Sequence, residues 1–128
     1  DRNPKTVMLE FEAFIGGGTA LTVSFTYVVP PKRIAMVETF YLKCLRYSVA
    51  AANLDAYCNI SITPDDGVEK LLANADIYTN VIGDRELTSV GSTLILRAGN
   101  TITARHASTD TGGLVWMMQS VKITEFDA

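Results

Sequence analysis

Apolar and polar residues alternate along most of this chain. From Thr6 to Ile15, the residues Val7, Leu9, Phe11, Ala13 and Ile15 share one parity, and Glu10 and Glu12 take the other. That two-residue period predicts a half-buried strand. Gly16-Gly17-Gly18 breaks it, since glycine reaches positive φ at little cost. A second strand follows, with Leu21, Val23, Phe25, Tyr27 and Val29 alternating with Thr22, Ser24, Thr26 and Val28. Pro30-Pro31 ends it, because proline cannot donate to a ladder. A third strand, about Arg33 to Ser48, places Ile34, Met36, Phe40, Leu42 and Cys44 on one parity. Glu38 interrupts that face, which predicts a bulge or bend near it. The fourth, about Asp55 to Thr63, sets Ala56, Cys58, Ile60 and Ile62 against Tyr57, Asn59 and Ser61. Folding the chain about Ala51 brings Phe40 to Ile62, Leu42 to Ile60 and Cys44 to Cys58. The third and fourth strands are therefore expected to pair antiparallel in that register.

Pro64-Asp65-Asp66-Gly67 carries the residues of a tight turn. In the next segment, Val68, Leu71, Leu72 and Ala75 fit one helical face, and a short strand fits as well. Asp76 to Ile82 reads as a short strand and Gly83-Asp84 as a loop. Thr93 to Arg97, Ala98-Gly99-Asn100 and Thr101 to Ala107 read as a hairpin. Ser108 to Gly113 is a small polar loop, and Leu114 to Phe126 is the closing strand, with Trp116 near its start. Seven to nine strands and at most one short helix result. No strand–helix–strand rhythm is present, so a parallel α/β fold is not expected. The expectation is one all-β domain over residues 1–128, an antiparallel sandwich of jelly-roll type.

Composition narrows the function classes. At 128 residues and 48% apolar content, the chain can bury roughly two-thirds of its unfolded surface without a metal or a disulfide framework. The formal net charge is −3. Lys5, Lys32, Arg33, Lys43, Arg46 and Arg85 lie far apart, so the basic patch of a nucleic-acid binder is not expected. No apolar run approaches the ~20 residues of a membrane-spanning helix. Asp1-Arg2-Asn3-Pro4-Lys5 lacks the apolar core of a signal peptide.

Reactive residues are sparse. His106 is the single histidine and sits in a strand beside Arg105. No Ser or Cys is selected as its partner, and the expected place is the surface or a sheet edge. Cys44 and Cys58 lack CxxC spacing, against a zinc ribbon or a thioredoxin-type pair. They fit a cross-strand thiol pair, whether buried thiols or a disulfide; a nucleophile is the third reading. Asp65, Asp66, Asp76 and Asp84 do not form a calcium loop. Glu10 and Glu12 share a strand face, where acids are solvated and discourage edge pairing. Gly16-Gly17-Gly18 lacks the lysine and helix of a phosphate loop. Tyr27, Tyr41, Tyr47, Tyr57, Tyr78 and Trp116 are candidates for a sugar-stacking platform or for core filling. No catalytic residue, metal or cofactor is expected.

Two stretches carry a resemblance. Val28-Val29-Pro30-Pro31-Lys32-Arg33-Ile34 is a proline turn feeding a long strand. Leu94-Ile95-Leu96-Arg97-Ala98-Gly99-Asn100-Thr101-Ile102-Thr103-Ala104 precedes a Ser/Thr/Gly loop and a last strand. Together they resemble small β-sandwich structural proteins of tailed phages and related viruses, in which a "VPxGKR" turn opens one strand and an "LxAGDTI" turn sits in a late hairpin. This chain has Pro30-Pro31 in place of Pro-x-Gly, and Asn100 in place of Asp. The resemblance implies a virion component (capsid, decoration, fibre or tail) that associates with itself and with other virion proteins. The rival expectation is a carbohydrate-binding or adhesion module with a glycan as partner. Met8, Phe14, Val28 and Ile95 fall on the parity opposite the expected core and are candidate interface residues.

Overall fold

Strand-forming alternation continues through nearly every segment of the chain, and the structure, a computed structural model describing residues 2–15, 18–46, 56–77, 83–88, 94–108 and 115–128, turns it into nine strands. They are β1 (Lys5–Ile15), β2 (Thr19–Val28), β3 (Arg33–Arg46), β4 (Ala56–Thr63), β5 (Lys70–Ile77), β6 (Gly83–Thr88), β7 (Leu94–Arg97), β8 (Thr101–Ser108) and β9 (Val115–Asp127). Among the described residues there is no helix, so the ambiguous segment after Gly67 resolves as strand β5. Gly83-Asp84, expected as a loop, opens β6, where Asp84 pairs with Leu45.

All strand pairs are antiparallel. One sheet runs β1-β9-β3-β6, with β7 also on β3; the other runs β2-β8-β4-β5. β6 covers Tyr41–Arg46 of β3 and β7 covers Ile34–Val37, so the two share one strand position. With that merger the order is the eight-strand double Greek key of a jelly roll. The apolar rows of the two sheets meet between them. Leu42, Ile60, Leu96, Ile102, Met117 and Ile123 are fully buried there.

Two expected pairings are replaced. β3 and β4 do not share a ladder; they lie in opposite sheets. Their apolar rows face each other across the core, so the parity match expected of a ladder is met by stacking instead. The expected hairpin of β7 and β8 is likewise a crossing between sheets. Its turn explains this. Asn100 N–H donates to Arg97 O at 2.9 Å, and Gly99, at the third position, has φ 87°. That is a type II turn, whose twist splays the flanking strands rather than closing a two-residue hairpin. The β2–β3 corner repeats the device. Arg33 N–H donates to Pro30 O at 3.2 Å, and Lys32 holds φ 63° at the place usually given to glycine.

Bulges set which side chains enter the core. The β3–β9 register shifts between Val37 and Thr39, at the expected Glu38. Phe40, Leu42 and Cys44 point inward beyond it, but before it the inward residues are Ala35 and Val37; Ile34 and Met36 are half-exposed. A second shift falls between Val23 and Phe25 of β2. Phe25, Tyr27 and Val29 keep the inward parity, whereas Leu21 and Val23, expected in the core, are 57% and 51% exposed. The extra residue, Ser24, turns inward instead.

Candidate functional site

Large exposed apolar side chains are not scattered at random. Among the described residues they are Met8, Phe14, Leu21, Val23, Val28, Val68, Leu71 and Ile95. Met8 and Phe14 lie on β1, an edge of one sheet. Leu21, Val23 and Val28 lie on β2, an edge of the other, and β1 packs beside β2. Leu71 is on edge strand β5, Val68 just precedes it, and Ile95 is on β7, which closes the opposite edge. None falls on the interior strands β3, β4, β8 or β9. Edge strands also carry backbone N–H and C=O groups with no ladder partner, the groups through which sheets join other chains.

The four candidate interface residues are therefore all exposed, and the fold does not gather them into one patch. Met8 and Phe14 share the outer face of β1, roughly 20 Å apart at strand rise. Val28 is on the other sheet, and Ile95 is at the far edge of the first. Leu21 and Val23 were missed because the alternation reads smoothly through Ser24. Val68 and Leu71 were missed because a helical face suited them equally.

The turns that carry the resemblance are in contact. Val29 N–H donates to Asn100 O, and Gly99 N–H donates to Val29 O, each at 2.9 Å. Asn100 Oδ1 accepts from Arg97 N–H at 2.8 Å, and its amide donates to Asp65 Oδ1 at 2.8 Å. The Pro64–Gly67 turn is thereby locked to both corners. Asp66 accepts from Val68 N–H at 2.9 Å and from Lys70 Nζ at 2.8 Å. The Lys70 hydrogen bond holds the Asp66 carboxyl below its usual range. These acids are used by turns, and among the described residues no group of three His, Cys, Asp or Glu could hold a metal.

At the same end, Asn3, Pro4, Lys5, Pro30, Arg33, Glu125 and Asp127 line an open cleft of about 630 Å³. Arg33 and the two acids of the cleft are mutually engaged. Arg33 Nη1 lies 2.6 Å from Asp127 Oδ1, and Arg33 Nε lies 3.4 Å from Glu125 Oε1. Tyr27 donates its hydroxyl to Glu125, itself buried. Burial, then that bond, pushes the Tyr27 phenol well above its ordinary value. The cleft reads as a strand end held together by the Arg33 ion pairs.

His106 is corrected from surface to interior: it is 5% exposed. Its ring stacks on Phe11 with centroids 4.7 Å apart. Nδ1 lies 2.6 Å from Ser24 Oγ, whose own proton goes to Gln119 Oε1 at 2.5 Å. With that proton committed, Ser24 accepts from His106 Nδ1–H, which sets the neutral tautomer. Gln119 Nε2 then donates to Asn59 O at 2.8 Å and Arg105 O at 3.0 Å. The chain of bonds ties β9 to β2, β4 and β8. Burial pushes the imidazole below its ordinary value. A serine acting as nucleophile would give its proton to the histidine; here the direction is reversed. Sequence reasoning missed Gln119 and Glu125, although their place on the core parity of β9 was the signal that marked them.

Cys44 and Cys58 are both fully buried thiols. They are not cross-strand partners, because β3 and β4 stack rather than pair. Of the aromatic candidates, Tyr27 points inward, and Tyr47 and Tyr78 lie outside the described residues. Tyr41 donates to Glu86 Oε2 at 2.6 Å, a bond that with burial lifts its phenol to about 12. Trp116 Nε1 donates to Glu12 Oε1 at 3.1 Å. Tyr57 is on the other sheet.

No protein-family model matches this chain, and no curated protein matches it. Solved structures do. A structure of infectious bursal disease virus, Gx strain, is similar over 98% of this chain and 32% of that one, at 9% identity and TM-score 0.47. Eiger TNF from S. frugiperda is similar over 96% and 92%, at 11% identity and TM-score 0.46. The CBM36-1 domain of a multidomain xylanase from the hindgut metagenome of Trinervitermes trinervoides is similar over 94% and 96%, at 13% identity and TM-score 0.43. Among the described residues, no helix is long and apolar enough to cross a membrane.

Proposed function

We propose that this chain is a structural subunit of a virion, working through repeated contacts between copies of itself and with other virion proteins. The observation that carries the reading is the confinement of large exposed apolar side chains to edge elements, five of them on the adjoining β1 and β2. Symmetric assemblies form by repeated contact of one surface patch with another, and exposed sheet edges with apolar side chains are surfaces that can supply such contact. The two turns that carry the resemblance to phage structural proteins also clasp each other through the Val29–Asn100 and Gly99–Val29 bonds. The proposal assigns no catalytic residue and no cofactor.

A carbohydrate-binding module is the second reading, favoured by Tyr41 and Trp116 on the same outer sheet face, each bonded to a glutamate. Sedimentation velocity over a wide concentration range separates the two. Assembly predicts species at multiples of 13.9 kDa that grow with concentration and weaken in the Phe14→Lys and Val23→Lys variants. A monomer at every concentration whose tryptophan emission shifts with a glycan would reject the assembly reading.

A further inference from the structure

We propose that Cys44 and Cys58 are the two halves of a latent disulfide between the sheets, closed during folding by exchange with a small disulfide such as oxidised glutathione. The geometry is reciprocal. Cys44 Sγ lies 3.7 Å from Ala56 O on the facing strand, and Cys58 Sγ lies 3.7 Å from Lys43 O. A cysteine sulfur is two bonds from its own Cα and a carbonyl oxygen two bonds from its own, so each approach holds the facing Cα atoms within about 9 Å of each other, inside the ~10 Å usual between stacked sheets. A disulfide needs Cα atoms roughly 4.4–6.8 Å apart, so closure asks β3 and β4 to draw somewhat closer at this level, which a chain still folding can do before the core packs. The chain has two cysteines, so a single intramolecular pairing exists.

The chemistry balances. One cysteine thiolate attacks the glutathione disulfide, forming a mixed disulfide and releasing one glutathione thiolate. The second cysteine thiolate attacks the protein sulfur of that mixed disulfide and releases the other. Two protein thiols are oxidised, one glutathione disulfide is reduced, and the two protons end on the released thiols. In the folded chain both sulfurs are fully buried, and burial holds the Cys58 thiol far from ionising. Closure therefore belongs to the folding chain, before the core seals. This inference is independent of the assembly reading.

The test is to refold the full chain with oxidised and reduced glutathione, beside one sample refolded in reductant and one kept folded in the same redox buffer. The refolded monomer should lose two hydrogens by intact mass. Trypsin should yield Cys44-Leu45-Arg46 linked to the peptide Tyr47–Lys70. Its melting temperature should rise on the order of 10 °C over the reduced form, as expected for a short closed loop, and the sample kept folded should stay reduced. Single Cys44→Ala and Cys58→Ala chains, refolded alike, should take up one glutathione or stay reduced. Glutathione adducts or inter-chain dimers from the natural sequence, or a bridged monomer melting below the reduced one, would overturn the proposal.

Discussion

His106 shows how one residue's surroundings reverse its expected role. On the surface an imidazole titrates near ~6.5, but here it is walled by Phe11 and donates to Ser24. Its folded value is pushed down by burial. Below about pH 6.5 the unfolded chain therefore takes up a proton that the folded chain refuses. Stability should fall as pH drops through that point and level off below the folded value. The depressed carboxyls, Asp66, Glu69 and Glu86, act lower: their stabilisation is present above the unfolded carboxyl range and is lost below it. Urea unfolding midpoints at pH 7.5 and 5.5 should thus differ in the natural chain and converge in His106→Gln; equal loss in both would place the effect elsewhere.

At the scale of strands, alternation located the elements but not all of their faces. The Glu38 bulge was legible, because a carboxylate in an apolar row has nowhere to go but out. The Ser24 bulge was not, because Leu21 and Val23 continue the odd parity on its far side as if nothing intervened. Pairing was harder still, since periodicity gives a strand its inner face and not its neighbour. The apolar parities of β3 and β4 suited a ladder and a stack equally, and only the topology separates them. The type II turn at Arg97–Asn100 was the readable sign that β7 and β8 part company. Of the interaction surface, the exposed parities of Met8, Phe14, Val28 and Ile95 were readable and their separation was not. The bulge itself can be tested. Leu21→Thr and Val23→Thr should each change unfolding free energy by less than about 0.5 kcal/mol, whereas Phe25→Ala should cost about 3 kcal/mol. Unbroken parity would make all three comparably damaging in denaturant titrations.

In the whole molecule one series of pairings is nested: β1 lies on β9, β2 on β8, β3 on β7 and β6, and β4 on β5, so the ends of the chain must meet before the sheets close. Such closures cost chain entropy before contacts repay them. β1 supplies the row Val7, Leu9, Phe11, Ala13 and Ile15 to the core, including the ring over His106. Without it β9 becomes an edge with half its ladder open and its polar interior uncovered. A chain lacking residues 1–15 should therefore bind the dye ANS and unfold without a sharp transition, as a collapsed state without fixed packing does. The missing strand is local in sequence and needs no covalent link to pair, so it can return by strand addition. A synthetic peptide of residues 2–15 should restore cooperative unfolding and quench ANS binding. The same peptide with Leu9→Lys and Phe11→Lys should fail, because the backbone ladder alone cannot offset two charges placed in an apolar core. If the shortened chain unfolded as sharply as the natural one, β1 would be an accessory edge and the core would close on the remaining eight strands.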